Sequence, residues 1–241
     1  MPMQKISEGK TKIVYTTENP EEVLLEFKDS ITALDGKKHD VLKGKGKINA
    51  EVSAKLFEAI EREGVPTHFI KLVKPSWMLA RKLTMIPMEV VCRNLAAGHF
   101  ISRFPVFKKG QPFKKPIIEF YWKNDALHDP ILVEDHVAEL GLASEDELKT
   151  IRLITGKANA VLIGFLIARR LRLADFKLEF GRSRGGSLFV GDELNCDSMR
   201  LWDTETGRIL DKDSYRQGSS LEEVMKVYQE SRQRILFGEG S

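Results

Sequence analysis

"DFKLEFGRSRGGSLFVGDE", residues 175–193, holds two runs of alternating apolar and charged residues on either side of a glycine pair. Successive side chains of an extended chain point to opposite faces. Asp175, Lys177 and Glu179 therefore share one face, and Phe176, Leu178 and Phe180 the other. Gly185 and Gly186 tolerate the positive φ of a tight reversal, so the stretch predicts a β-hairpin turning within Arg182 to Ser187. Two registers are open. A loop centred on Arg184 and Gly185 sets Lys177 opposite Asp192, with Glu179 diagonal to Asp192 and within reach of a shared ion. A slip by one residue pairs Lys177 with Glu193 and turns Asp192 over. Two carboxylates and a lysine on one face suit Mg²⁺ carried on a polyphosphate. Hard cations take one or two carboxylates plus phosphate oxygens, and an ammonium is a compact charge for the same phosphates. The same alternation also describes a hairpin whose outer face is only solvated.

A chain of 241 residues can bury a sizeable core, as one large domain or as two sharing a cleft. A hydrophobic share of 42% against 30% charged residues fits a globular protein, and a net charge of +3 is too weak to argue for nucleic acid by itself. The opening MPMQKISEGK lacks the apolar centre of a signal peptide. No run approaches the length that crosses a bilayer, so a cytoplasmic protein without a membrane partner is expected. Cys92 and Cys196 form no CxxC pair and read as packed thiols. The histidines at 39, 68, 99, 128 and 136 make no zinc-type cluster, and no transition metal is expected.

Residues 10–16 and 22–27 flank a turn containing Asn19 and Pro20, an opening hairpin with Lys10, Lys12 and Val14 on one face. Residues 30–34 form a third extended stretch before an Asp35-Gly36 turn. KGKGK, residues 43–47, precedes a helix signalled by Ile48, Val52, Leu56 and Ile60, with Gly64 at its C-terminal cap. Such an approach to a helix reads equally as an anion site and as a mobile solvated loop. Residues 67–73, 88–93 and 117–122 read as strands, and Pro87 marks KLTMIPM as a connector. Between Gly98 and Pro116, prolines and lysines read as turns and an exposed hairpin. A long helix is predicted from Ser144 to Leu171, opened by a Ser144/Glu147 capping box and buried along Ala158 to Ala168. A closing helix from Ser220 to Leu236 opens on a Ser220/Glu223 box.

MIPMEVVCRNLAAGH at 85–99 and LADFKLEFG at 173–181 resemble signature segments of the phosphoribosylaminoimidazole-succinocarboxamide synthase (SAICAR synthetase) family. GKTKIVY, DGKKHDVLKGKGKINAEVSAKLFE, KNDALHDP, GDELNCDSMRLWD and LDKDSYRQG resemble further family segments in family order, covering nearly the whole chain. The resemblance implies an α+β fold whose ATP site is similar to that of protein kinases. Residues 1–84 would be an N-terminal antiparallel sheet domain for the nucleotide, and residues 85–241 a larger α/β domain with the metal and substrate residues. It implies a MgATP-dependent amide ligase joining L-aspartate to the carboxylate of carboxyaminoimidazole ribonucleotide (CAIR), with release of ADP and phosphate, in de novo purine biosynthesis. The length resembles that of the stand-alone enzyme, without a fused carboxylase domain, and a homodimer is the family-level expectation.

By the same resemblance, Glu179 and Asp192 hold Mg²⁺, Lys177 steadies the phosphates and Asp175 points toward the second substrate, which makes Lys177 and Asp175 the catalytic candidates. Lys10 and Lys12 form a lid on ATP, Val14 lies beneath the purine, and Lys82, Met85 and Met88 belong to the connector lining it. Arg93, Arg200 and Arg216 match arginines that engage the nucleotide substrate, a role suited to guanidinium forks. Lys123, Asp129, Asp197 and Lys212 follow from matching motifs. The Asp35-Gly36 turn and the KGKGK loop are expected to close over the substrates. His99 stands where the family pattern usually has serine; if that serine contacts the substrate phosphate, the histidine replaces it with a ring N–H, shifts the ligand, or leaves the contact to Ser102 or Arg103, and a histidine turned toward solvent reads equally well. The cysteine of LNCDSMRLWD replaces a proline found in many relatives and is expected to alter packing only.

Two other classes stay in view. A related small-molecule kinase would share the nucleotide site, although the HRD, DFG and VAIK signatures of protein kinases are absent. A nucleic-acid binder would use KGKGK and Lys108 to Lys115; the near-neutral charge and the lack of an RNA-binding aromatic motif argue for no nucleic acid.

Overall fold

The computed structural model describes residues 3–33, 36 and 38–238. Strand Lys12–Thr16 pairs antiparallel with Glu22–Phe27, Lys12 standing opposite Phe27. Strand Lys5–Glu8, which the sequence did not announce, adds one edge, and Trp77–Arg81 and Phe69–Lys74 complete a five-stranded sheet. Val23, Leu25 and Phe27 alternate into the core, as the period of two requires. Strands Ser30–Ala33 and Lys38–Val41 form a separate small hairpin.

Helix Lys45–Arg62 packs across the five-stranded sheet through Ile48, Val52, Leu56 and Ile60. It starts inside KGKGK, so Lys45, Gly46 and Lys47 belong to its first turn. Gly44 adopts φ +93°, and the Asp29 carboxylate accepts hydrogen bonds from the N–H groups of Gly44 and Gly46 at 3.0 and 2.9 Å. A Cβ on Gly46 would sit 2.3 Å from the Phe27 carbonyl oxygen, so only glycine lets the helix begin against that strand. Lys45 is consequently swallowed whole.

The second sheet has six strands, with Leu171–Arg182 at its centre. Thr84–Leu95 lies along one edge of that strand, while Leu188–Gly191 and Met199–Asp203 share the other. Pro112–Trp122 and Ile131–Leu132 extend the sheet beyond Thr84–Leu95. The hairpin takes the slipped register: Glu179 faces Gly191 and Arg182 faces Leu188. Alternation alone would then turn Asp192 away. Asp192 instead takes a left-handed φ of 59° directly after the strand ends, and its carboxylate reaches Lys12 at 2.9 Å.

Pro87 does not interrupt the sheet, contrary to the predicted connector. The ladder to Leu171–Arg182 shifts between Glu179 and Gly181, and pairing on the other side stops at Met88, where Pro87 offers only its carbonyl to the Lys123 N–H. Its missing N–H falls at a bulge, where no donor is needed. Pro112–Trp122 likewise starts earlier than the predicted Ile117, with an irregularity opposite Arg93 and Leu95 that accommodates Pro116.

Helix Glu145–Ile167 carries the predicted capping box at Ser144 and Glu147 and stops at Ile167, because Arg170 turns left-handed at φ 52° and Leu171 opens the central strand. Leu148, Ile151, Ala158, Leu162 and Leu166 are buried where the helix lies on the large sheet. Its 23 residues, with a mean hydropathy of 1.4 over 18, are long and apolar enough to cross a bilayer, which corrects the expectation that no run approaches that length. Ala160, Ile163 and Ile167 of the predicted buried stretch face outward. The closing helix runs Leu221–Phe237 from its Ser220 cap.

Arg182, at the end of the central strand, forks onto Glu147 at 2.6 and 2.8 Å and so ties the hairpin to the helix start. Hydrogen bonding from Arg182 holds the Glu147 carboxyl down from its ordinary 4.5 to about 2. A carboxylate with a depressed folded pKa contributes stability that is full above 4.5 and is lost as pH falls toward 2. Glu147→Gln should therefore flatten the fall of Tm between pH 4.5 and 2 that the unaltered chain shows; an unchanged slope would contradict the contact.

Candidate active site

The central strand sets three ionisable side chains on one face, and each neighbouring strand brings it partners. Glu179 stands directly opposite Glu89 across the ladder, a like-charged pair that is unfavourable unless cations lie between. The Lys177 ammonium does so, at 2.6 Å from Glu89 and 3.1 Å from Glu179. Lys123 adds a second contact to Glu179, at 2.6 Å. Burial opposes a charged Lys177, but Glu179, Glu89 and Asp192 together raise its pKa well above the ordinary value.

Lys12 reaches this face from the other sheet. It is buried, 2.9 Å from Asp192 and 2.7 Å from Glu193. Burial works against its charge, and the two carboxylates overrule burial and raise its pKa. Among the described residues, no three His, Cys, Asp or Glu side chains converge to hold an ion unaided. The donor types nevertheless suit Mg²⁺ that arrives on a polyphosphate: hard carboxylate oxygens at Glu179 and Asp192, with the Lys177, Lys123 and Lys12 ammonium groups beside them.

One turn of the pleat away, Asp175 is flanked by an arginine on each side: its ladder partners are Arg93 and Arg200. Arg93 donates to Asp175 at 3.0 Å, to Glu119 at 2.6 Å and to the Tyr121 hydroxyl at 3.2 Å. Arg200 donates to both Asp175 oxygens, at 3.1 and 3.0 Å, and to Asp213 at 2.8 Å. Arg103 caps Glu119 and Arg216 caps Asp213, each at 2.5 Å. Burial pushes the Glu119 carboxyl up, and the Arg93 guanidinium beside it outweighs this and holds it below its ordinary value. Gly98 closes the array from above with φ +52°, and a Cβ there would lie 2.5 Å from the Arg200 guanidinium.

Several predicted residues stand elsewhere. Lys10 is exposed and pairs with Asp125 at 2.8 Å, whereas Lys12 is buried. Val14 is half-buried and packs on the core. Lys82 is exposed where the chain passes between the sheets. Met85 leans on Gly181 and Gly191, whose missing side chains make room for its sulfur, whereas Met88 is buried in the core. His99 and Ser102 are exposed, and Arg103 alone of that group joins the network. Asp129, left-handed at φ 49°, spends one oxygen on the Asn124 N–H and closes its own turn. Asp197 is sealed inside by Lys45 at 2.7 Å, Asn49 at 3.0 Å and Tyr228 at 2.5 Å. Lys212 is buried nearby, and burial lowers its pKa. Gly36 is exposed, and Asp35 lies outside the described residues. Cys92 and Cys196 are free and buried, and burial pushes the Cys92 thiol up to about 12.

Glu89, Glu119, Tyr121, Glu193 and Asp213 are the site residues that sequence reasoning missed. Glu89 and Arg93 differ by four in one strand and so share a face, which alternation could have shown once Thr84–Leu95 was read as a single strand.

The SAICAR synthetase family profile matches residues 5–235. The chain is 49% identical over 235 residues to a phosphoribosylaminoimidazole-succinocarboxamide synthase of Sulfurisphaera tokodaii, covering 98% of this chain and 99% of that one. The crystal structure of the synthase of that name from Ehrlichia chaffeensis superposes with a TM-score of 0.92 at 42% identity, over 96% of this chain and 98% of that one. A SAICAR synthetase solved in complex with ADP superposes with a TM-score of 0.91 at 39% identity, over 98% and 99% of the two chains. On the strength of its charged central strand, its two-sheet fold and these full-length matches, the chain belongs to the SAICAR synthetase family.

Proposed function

We propose that the charged face of the central strand is where ATP activates a carboxylate for amide formation. The chain is an ATP-dependent ligase that joins L-aspartate to the carboxylate of CAIR, giving SAICAR, ADP and phosphate. The observation that carries the placement is the order Asp175, Lys177, Glu179 along one strand, with arginines around the first and carboxylates and lysines around the last. An anionic substrate suits the arginine end; a metal-bound polyphosphate suits the other.

In this reading residues 1–84 supply Lys12 and the nucleotide-binding sheet, and residues 85–241 supply the metal and substrate groups. Glu179 and Asp192 would hold Mg²⁺, which when bound neutralises phosphate charge. Lys177 and Lys12 release carboxylates and take phosphate oxygens. Arg93 and Arg200 orient the CAIR carboxylate and phosphate, with Asp175 fixing both guanidinium planes. Oxide is a poor leaving group. The carboxylate oxygen therefore attacks the γ-phosphorus and ADP departs; the aspartate amine then attacks the acyl carbon, and phosphate leaves with that oxygen. A homodimer in the cytoplasm completes the proposal; the outward Leu153, Ile163 and Ile167 offer apolar surface in keeping with it. Light scattering should give twice the 27.4 kDa of the chain, and a single-chain mass would contradict the dimer.

ADP release from MgATP should require both CAIR and L-aspartate, with SAICAR identified by mass. Release without aspartate would favour a kinase. Gly98→Ala should push the Arg200 guanidinium aside and raise KM for CAIR about tenfold, with KM for ATP little changed, because one charged hydrogen bond is disturbed. Equal shifts in both constants would place Arg200 outside the CAIR pocket.

A further inference from the structure

We infer that Tyr215, held by Lys38 and Asp40 of the small hairpin, is a positioning residue for Arg216 and, through Asp213, for Arg200; the inference rests on the reading that these arginines engage CAIR. Both guanidinium groups are set by a single turn of helix, Asp213–Arg216. Asp213 accepts from Arg200 at 2.8 Å on one oxygen and from Arg216 at 2.5 Å on the other, so the two arginines move with that turn. Four residues are too few for a helix to hold itself. The Asp211 carboxylate secures its start, accepting from the N–H groups of Asp213 and Leu201 at 2.6 and 2.8 Å. Its end is gripped from the far side of the chain.

Strands Ser30–Ala33 and Lys38–Val41 pair with each other and, among the described residues, with neither large sheet. Lys38 and Asp40 are two apart in their strand and share a face. The Lys38 ammonium donates to the Tyr215 carbonyl at 2.8 Å and lies 3.8 Å from the centre of the Tyr215 ring. Asp40 accepts from the Tyr215 hydroxyl at 2.7 Å. The hairpin thereby holds Tyr215 by its backbone, its ring face and its hydroxyl, and the side chain is fully buried. Asp213 and Arg216, three apart, share one side of the turn while Tyr215 projects from another. A roll that carried the Asp213 carboxylate away from Arg200 would pull Tyr215 out of this grip. Phenylalanine would serve the packing alone; the hydroxyl on Asp40 and the ammonium on the carbonyl are what fix the angle of the turn. The N-terminal part of the chain thus reaches the phosphate end of the charged face through Lys12 and the arginine end through Tyr215.

The test measures binding of CAIR and of ADP to the full chain by calorimetry, which needs no turnover. Tyr215→Phe removes the hydroxyl and keeps the ring; Asp40→Ala removes its acceptor, and Asp40→Asn keeps one; Lys38→Met keeps the stem without the ammonium. Tyr215→Phe, Asp40→Ala and Lys38→Met should each weaken CAIR binding by about three- to tenfold, with ADP affinity in all of them, and CAIR affinity in Asp40→Asn, within about twofold of the parent. Parental CAIR affinity in those three variants, alongside a weakened Arg216→Ala, would overturn the inference and leave Arg216 in the CAIR pocket. Equal losses for CAIR and ADP would assign Tyr215 to packing and overturn it too. CAIR affinity unmoved in Arg216→Ala would instead defeat the reading of that arginine, and the inference with it.

Discussion

Glu179→Gln lowers turnover by about a hundred- to a thousandfold, the effect of removing one preorganised charge from a reacting site. The substitution keeps the shape of the side chain. It removes the charge that Lys177 and Lys123 share at 3.1 and 2.6 Å, and with it one of the two oxygen donors proposed for Mg²⁺. Lys177 keeps Glu89 at 2.6 Å, so the strand retains a paired lysine and the fold should survive. Far-ultraviolet circular dichroism should match the parent while the Mg²⁺ optimum moves upward. Turnover near normal at saturating Mg²⁺ would remove Glu179 from the metal site.

Asp175→Asn has the second large effect, and it falls on stability as well as rate. Arg93 and Arg200 both lose the carboxylate that separates them, and both guanidinium groups are substantially buried. Breaking a buried pair by removing one partner costs roughly 3–5 kcal/mol, because the remaining charge is left uncompensated. Here Glu119 and Asp213 retain one contact to each arginine, so the lower part of that range is expected. Urea denaturation should show the loss as a lower midpoint with unchanged slope. Saturating CAIR, whose anionic groups replace the missing charge, should restore part of it. A parental midpoint would mean that the arginines do not depend on Asp175.

The face of the central strand was legible because a period of two survives any register. Asp175, Lys177 and Glu179 share a side whether or not the hairpin slips. The position of Asp192 was not legible by the same rule, since a single left-handed residue after the strand cancels the slip. Pro87 misled for a related reason: a proline argues against a central strand only where its N–H would meet a ladder partner, and bulges are invisible in sequence. KGKGK read as a loop because glycine usually marks one; the need for a helix to start within van der Waals contact of Phe27 is a tertiary fact. Asp197 was legible as part of a matching motif, but its surroundings were not. It sits two residues past Asn195 in a matching segment, yet Lys45, Asn49 and Tyr228 consume it inside the core.

Carboxylate activation by ATP is the claim on which the roles of Lys177, Glu179 and the arginines all depend. The most direct test is to supply CAIR labelled with ¹⁸O in its carboxylate, together with MgATP and L-aspartate, and to weigh the phosphate released. Transfer of one carboxylate oxygen into each phosphate is the predicted result. Unlabelled phosphate alongside SAICAR would contradict the account, because the γ-phosphoryl group would then never have been joined to the carboxylate.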